Sequence, residues 1–306
     1  MELRQLRYFC LLAEELHFGR AAKRLALTQP PLSQAIANLE RELGVKLFDR
    51  TRRRVALTHA GAAFVDEARA TLARAAQAVE LAQRADRGEV GRLSVGYLAA
   101  TAFTLLPLVL RDFGRSFPGV KLELRELTIP QQHAALLKGD IDLAILRPPV
   151  DEAELASEVV MSERFVAALP ASHPLCALRR IPAQRLAKEP FVMFPRQPGL
   201  VNHDLVMGYC LRHGFRPRVA QEANQTHTVV ALVAAGIGVA LVPTSAQRMG
   251  LAGVAYRPLR EATPLSRTAV AWRRSDPSPV LAAFLDVARR VAKQVNSAPV
   301  PTRRKE

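Results

Sequence analysis

Residues 18–61 constrain the fold of this chain more than any other segment. Apolar positions recur at helical spacing on both sides of a tight turn: Ala21, Ala22, Leu25, Leu32, Ile36 and Leu39. Thr28 can cap the second helix through its hydroxyl, and Pro30 fits the first turn, whose amides lack helical partners. An arginine-dense segment after this helix, residues 50–54, has the form of a two-stranded wing. This order predicts a winged helix-turn-helix built to lie against DNA.

The outer face of the second helix in this segment is polar. Amide side chains can donate and accept at adenine edges, and a hydroxyl can reach a base or a phosphate. A solvated helix face is the alternative for such a face taken alone. The turn before it and the arginines after it favour DNA binding. The predicted DNA contacts are Arg20, Gln29, Pro30, Ser33, Gln34, Asn38, Arg52, Arg53 and Arg54.

A long helix is predicted over residues 59–87, with Thr58 as its cap and Gly88 at its end. Its apolar positions alternate by three and four residues, which is the heptad stripe of a coiled coil. This stripe consists of Val65, Ala68, Leu72, Ala75, Val79 and Ala82. Packing on its own domain is the alternative. We favour dimerisation, because the helix follows a DNA-binding unit and a dimer presents two such units to an operator.

From Arg92 the pattern changes to alternating strands and helices, which is typical of an α/β domain. The first predicted unit has strands at 93–97, 120–127 and 142–146 and helices at 101–117 and 131–138. A second unit begins near residue 164, with strands at 165–169, 191–194, 217–222 and 239–242 and helices at 201–211 and 228–235. A strand at 268–273 and a helix at 280–291 then return and complete the first unit.

These stretches make the chain resemble the LysR-type transcriptional regulators. The motifs that match are MELRQLRYF, HFGRAAKRL, TQPPLSQAIANLERELGVKLFDR and RVALTHAG, and the resemblance extends to about residue 295. It implies an all-α winged helix-turn-helix domain followed by an α/β domain of two Rossmann-like lobes. Two crossing strands would join these lobes, as in type 2 periplasmic binding proteins. It also implies pairing through the long helix, in a dimer or in a tetramer of two dimers.

The same resemblance implies specific DNA contacts. The positions that match Gln29, Pro30, Ser33 and Gln34 face DNA in family members, and the one that matches Arg53 contacts the backbone. Family members commonly carry Arg where this chain has Gln34, so here an amide replaces a cation.

We therefore predict four segments. Residues 1–58 form the DNA-binding domain, and residues 59–88 form the dimerising linker helix. The effector-binding domain follows at 89–295, with lobe one at 89–163 and 267–295 and lobe two at 164–266. Residues 296–306 are proline-rich and basic, and we predict a disordered tail.

Clefts between α/β lobes bind ligands at the carboxyl ends of strands and at helix N-termini, where the helix dipole favours anions. In this chain several loops occupy those positions. Ordinary helix capping is the alternative for each threonine, but the resemblance places the family's effector pocket at the same loops. Members that act in aromatic catabolism often carry Ser where this chain has Ala99 and Ala100. The predicted effector contacts are Ala99, Ala100, Thr101, Thr128, Arg147, Phe194, Pro195, Arg196, Thr226, His227 and Thr228.

Composition narrows the class of protein. The 306 residues carry a formal net charge of +15, which favours polyanionic partners such as DNA and predicts salt-dependent binding. Three scattered cysteines suit a reducing cytoplasm, and without ligand spacing we expect no metal or other cofactor. The longest apolar run, residues 229–243, is interrupted by two glycines and is too short to span a membrane.

No nucleophile, metalloprotease or phosphate-loop motif occurs in the chain, so we do not expect an enzyme. We predict a cytoplasmic, nucleoid-associated transcriptional regulator. Its binding to double-stranded operator DNA would be modulated by a small anionic metabolite, a carboxylate or an aromatic compound. The alternative is a cytoplasmic solute-binding module without a DNA role.

Overall fold

The computed structural model describes residues 1–50, 54–150, 153–196 and 201–297. The chain divides after Arg84 into two compact units. The predicted basic tail lies mostly outside the described residues, as do Arg52 and Arg53.

The first unit is a helical core with a small sheet. Its elements are α1 (Leu3–Glu15), α2 (Phe18–Arg24), α3 (Gln29–Leu43), β1 (Phe48–Arg50), β2 (Val55–Leu57) and α4 (His59–Asp86). The strands β1 and β2 pair antiparallel, so the sequence prediction of a two-stranded wing is confirmed. Between α2 and α3 the backbone turns at Ala26, which has a positive φ of 55°.

Caps delimit the helices of this unit. Thr28 occupies the N-cap of α3 as predicted, but its hydroxyl makes no capping hydrogen bond. Gly44 ends α3 in the left-handed conformation, which suits a residue without a Cβ. The predicted cap of α4 is made, because the backbone N–H of Gly61 donates to Thr58 Oγ1 at 2.9 Å. A Cβ on Gly61 would lie 2.0 Å from the backbone oxygen of Leu47, so only glycine fits there.

The stripe along α4 has two parts. Val65 and Ala68 are buried in the core of their own unit, and Leu72 packs against that core. This corrects the prediction that places Val65 and Ala68 in a dimer seam, since Phe9 and the helices around it already cover these side chains. Further along the helix, Val79 is 59% exposed. The part of the stripe that is open to a partner therefore begins after Leu72.

The second unit begins with parallel pairing. Strand β3 (Val90–Tyr97) pairs with β4 (Gly119–Glu126) on one side and with β5 (Leu143–Leu146) on the other. Helices α5 (Leu105–Ser116) and α6 (Ile129–Lys138) connect these strands. The order confirms the predicted βαβαβ unit.

The remaining elements form the second lobe and the return to the first. They are β6 (Leu155–Pro170), β7 (Pro190–Met193), α7 (Val201–Arg212), β8 (Arg218–Glu222), α8 (Thr226–Ala234), β9 (Ala240–Pro243), β10 (Val254–Pro258), β11 (Leu265–Arg273) and α9 (Pro279–Ser297). Strand β10 was not predicted. It pairs along β6, and most of its residues are half-buried, so its pattern in the sequence is weak.

Strands β6 and β11 connect the two lobes. They pair antiparallel with each other, while β11 also pairs with β5 in lobe one and β6 with β9 in lobe two. Strand β6 is much longer than the predicted strand at 165–169, because only these five residues form a long continuously buried run. The implied arrangement of two α/β lobes joined by two crossing strands is confirmed.

The helix predicted at 101–117 begins later than expected. Residues Ala99–Phe103 form a 3₁₀ helix, and α5 starts at Leu105. The physical reason is Pro107, which has no N–H and would break a helix already under way but is accommodated in a first turn. Thr101 is therefore not a helix cap, and its hydroxyl donates to the backbone oxygen of Leu98 at 2.7 Å.

Candidate functional site

The outer face of α3 carries the polar side chains that were predicted to read DNA. Gln29, Pro30 and Gln34 are exposed, and Ser33 and Asn38 are partly exposed. The Gln34 amide donates from Nε2 to Asn38 Oδ1 at 2.9 Å, one helical turn away. The two amides are therefore hydrogen-bonded to each other on the helix surface. Gln34 Oε1 and Asn38 Nδ2 remain available as an acceptor and a donor for another partner.

Arg20 lies on α2 and is already paired within the unit. Its Nε donates to Glu15 Oε2 at 3.0 Å, and a second nitrogen donates to the backbone oxygen of the same residue. Arg24 reaches the other carboxylate oxygen of Glu15 at 2.7 Å. Hydrogen bonds from Arg24 and Arg20 lower the pKa of Glu15. A phosphate that recruits Arg20 must compete with this carboxylate.

The wing is attached to α3 through a buried carboxylate. Glu40 is 3% exposed and accepts from the backbone N–H groups of Leu47 and Phe48 at 2.9 and 3.2 Å. Its second oxygen accepts from Arg50 Nη2 at 2.9 Å. The Arg50 guanidinium also lies 5.1 Å from the ring centroid of Phe18. Arg50 therefore serves the structure of the wing, whereas Arg54 is exposed directly before β2.

Glu40 was not among the predicted functional residues. A signal existed, because a charged residue on the buried stripe of Leu32, Ile36 and Leu39 must find partners. Those partners lie in β1 and in Leu47 directly before it, and pairing with them requires the tertiary fold.

The second unit contains a cavity of about 340 Å³ between its lobes. Six of the predicted effector contacts line it: Ala99, Ala100, Thr128, Arg147, Phe194 and Thr226. The other lining residues are Leu98, Glu126, Leu127, Ile129, Pro130, Gln131, Val201, Asn202, Asn224 and Gln225. The size is at the lower end for ligand pockets, which suits a small metabolite.

Five predicted contacts lie elsewhere. Thr101 is buried in a smaller adjoining cavity, and Pro195 and Arg196 are not among the lining residues. His227 and Thr228 are exposed, because α8 begins at Thr226 and not at the predicted Thr228. Successive residues on a helix point about 100° apart, so only Thr226 of this group faces the cavity.

Arg147 is the central charge of the cavity. It follows β5 and is partly buried, and its Nε is fully buried without a hydrogen-bond partner among the described residues. Burial lowers the pKa of Arg147, while the nearby Glu163 raises it. Arginine stays protonated even so. The cavity thus contains a cation whose Nε has no hydrogen-bond partner among the described residues.

Glu163 shares the smaller adjoining cavity with Arg147. Its carboxylate accepts from the backbone N–H of Ser245 at 2.7 Å. Burial raises the pKa of Glu163, against the opposing effects of Ser245, Arg147 and Arg248.

Helix N-termini surround the cavity. First-turn residues of α6 and α7 line it, as does the start of α8. At α6, Thr128 occupies the N-cap, and both its backbone N–H and its hydroxyl donate to Gln131 Oε1 at 2.9 Å. At α8, Gln225 occupies the N-cap but makes no side-chain capping bond. Unpartnered amides at such termini bind anions.

The N-terminus of α7 was missed in the sequence. Asn202 lies in its first turn, is 3% exposed and lines the cavity, and its Oδ1 has no partner among the described residues. The signal in the sequence is the same as at the other helix starts, since Asn202 is a polar residue in the first turn of a predicted helix.

The described residues contain no group of three or more His, Cys, Asp or Glu side chains placed to hold a metal ion. None of their helices combines the length and the apolar composition needed to cross a lipid bilayer.

Two family models match the chain. Residues 3–62 match the bacterial regulatory helix-turn-helix protein, lysR family, and residues 86–293 match the LysR substrate binding domain. The second match alone covers more than half of the chain.

Full-length relatives agree with these matches. The HTH-type transcriptional regulator AlsR of Bacillus subtilis is 41% identical over 287 residues, which cover 94% of this chain and 95% of AlsR. IlvR of Caulobacter vibrioides, also an HTH-type transcriptional regulator, is 38% identical and covers 98% of this chain and 100% of its own.

Among solved structures, the crystal structure of full-length CbnR complexed with the target DNA is similar to this chain, with a TM-score of 0.85 and 30% identity. The similarity covers 95% of this chain and 100% of CbnR. These relatives are transcriptional regulators and not enzymes. The chain belongs to the LysR family of DNA-binding transcriptional regulators.

Proposed function

We propose that this regulator binds operator DNA through the outer face of α3 and the wing, and that a small anionic effector in the lobe cavity modulates the binding. The observation that carries the effector class is Arg147. An arginine whose Nε has no hydrogen-bond partner among the described residues lines the cavity, together with the start of α8, which lacks a side-chain cap. A carboxylate could accept hydrogen bonds from the guanidinium and from the first backbone N–H groups of α8.

We also propose that the regulator works as a dimer, or as a tetramer of two dimers, in the cytoplasm where the chromosome lies. The exposed second half of the α4 stripe supports the pairing, since Val79 is otherwise an apolar side chain in water. Two copies would present two α3 helices to a palindromic operator.

The effector class can be tested by a thermal-shift screen of small carboxylates and neutral aromatics. A ligand that binds only the folded protein raises its melting temperature. We expect carboxylates to give the shifts, and the shifts to disappear in Arg147→Met. Stabilisation by neutral compounds only, or by carboxylates equally in Arg147→Met, would contradict the anionic effector.

DNA readout can be tested with two variants. Gln29→Ala should weaken binding more on the operator than on random DNA, because an amide reads base edges. Arg53→Ala should weaken binding on every sequence and reduce the salt dependence, because a wing arginine neutralises phosphate. Equal losses on both DNAs for Gln29→Ala would contradict base readout by this residue.

A further inference from the structure

Asn202 is a buried amide that the protein itself does not use. Asn202 is only 3% exposed, yet its Oδ1 has no hydrogen-bond partner among the described residues. Buried amides in folded proteins nearly always have partners, because leaving one unpaired costs much of its hydration free energy. An exception requires an explanation.

The position of Asn202 supplies one. It lies in the first turn of α7 and lines the same cavity as Arg147. A ligand that enters this cavity can therefore meet both groups. Arg147 can bind the negatively charged group of that ligand. The amide of Asn202 then requires a second, uncharged polar group on the same ligand.

A hydroxyl is the group that fits an amide best in this setting. It both donates and accepts, so it can bond to Oδ1 or to Nδ2, whichever end of the amide faces it. A second carboxylate could only accept, and it would add a negative charge that Arg147 would have to share between two groups.

We propose that the effector is a hydroxy-substituted carboxylate and that Asn202 is the residue that selects its hydroxyl. This inference rests on the proposed anionic effector and adds a specificity to it. A site built to hydrogen-bond a hydroxyl discriminates strongly against analogues that lack it, because the protein group is then left buried and unpaired.

The test uses matched sets of acids with the wild-type protein. One set is benzoate with 2-, 3- and 4-hydroxybenzoate and the corresponding fluorobenzoates, and the other pairs lactate with propionate and 3-hydroxybutyrate with butyrate. Fluorine approximates the size of a hydroxyl without donating a hydrogen bond. Dissociation constants are measured by titration calorimetry. We expect at least one hydroxy acid to bind about tenfold or more tightly than its unsubstituted partner and, if it is a benzoate, also more tightly than its fluorinated partner.

Two variants assign this preference to Asn202. In Asn202→Ala the dissociation constants of the preferred hydroxy acid and of its unsubstituted partner should become nearly equal. Asn202→Leu, which preserves more of the buried volume, should have the same effect. The control is Gln221→Ala, because Gln221 is an exposed amide on β8 of the same lobe that does not line the cavity, and this variant should retain the preference.

The outcomes separate the two proposals. If acids bind but no hydroxy acid is preferred, or if the preference persists in both Asn202 variants, the role of Asn202 is wrong and the anionic effector stands. If no acid binds the wild-type protein, the anionic effector fails and this inference fails with it.

Discussion

Glu40 fixes the wing to α3 through three hydrogen bonds, two of them from buried backbone N–H groups. Glu40→Ala leaves those donors unpaired, and we expect it to lower the free energy of unfolding by about 3 kcal/mol. Chemical denaturation measures the loss. Glu42→Ala, at an exposed carboxylate on the same helix, is the control and should cause little change. A Glu40→Ala protein as stable as the wild type would show that the contact does not stabilise the wing.

Glu163 predicts a pH dependence of stability. Because burial raises its pKa, the folded state binds this proton more readily than the unfolded state. The stability from the protonated carboxyl is present below about pH 4.3, the ordinary glutamate pKa, and is lost as the pH rises through the raised value. In Glu163→Gln the side chain at this position carries no charge at any pH of the experiment. We expect the stability of the wild type to fall relative to this variant as the pH increases across that window.

Denaturation curves at a series of pH values measure this difference. Glu154→Gln, at an exposed carboxylate, controls for the removal of one negative charge. A stability difference between wild type and Glu163→Gln that is constant with pH would contradict the prediction.

The positions of some site residues could be predicted from local sequence pattern alone. Gln29, Ser33 and Gln34 could be placed on an outer helix face from spacing alone, and Arg147 from its position after a strand. Glu40 and Asn202 were missed, because the burial of a polar side chain becomes evident only once the fold has brought its surroundings together. The adjoining carboxylate of Glu163 was missed for the same reason.

At the scale of elements, the exposed half of the α4 stripe is the clearest case of a surface that requires a partner. Val79→Glu places a charge in the proposed seam, and we expect a shift from dimer to monomer in sedimentation experiments. Gln77→Glu adds the same charge on the opposite side of the helix and is the matched control. Unchanged association in Val79→Glu would move the dimer contact away from this helix.

Helices and strands with strong periodicity were predictable, and their boundaries depended on local chemistry. The start of α3 agrees with the prediction, since Thr28 occupies its N-cap. The predicted start of α5 was wrong, because Pro107 favours a helix that begins only shortly before it. The first half of β6 was missed because its pairing with β11 joins segments about a hundred residues apart, which local pattern does not reveal.

For the whole molecule, the crossing strands β6 and β11 are the elements that hold the two lobes on either side of the cavity. An effector changes DNA binding only if it binds one arrangement of the regulator better than another. Arg147 and the cavity around it are where we expect that difference in affinity to arise.

The most direct test is footprinting of the DNA upstream of this gene with the full-length protein, with and without the carboxylate that stabilises it most in the thermal-shift screen. We expect the carboxylate to change the length or the strength of the wild-type footprint. The footprint of Arg147→Met should form equally well and should not respond to the carboxylate. A wild-type footprint that stays the same at saturating carboxylate would contradict control of DNA binding through this cavity.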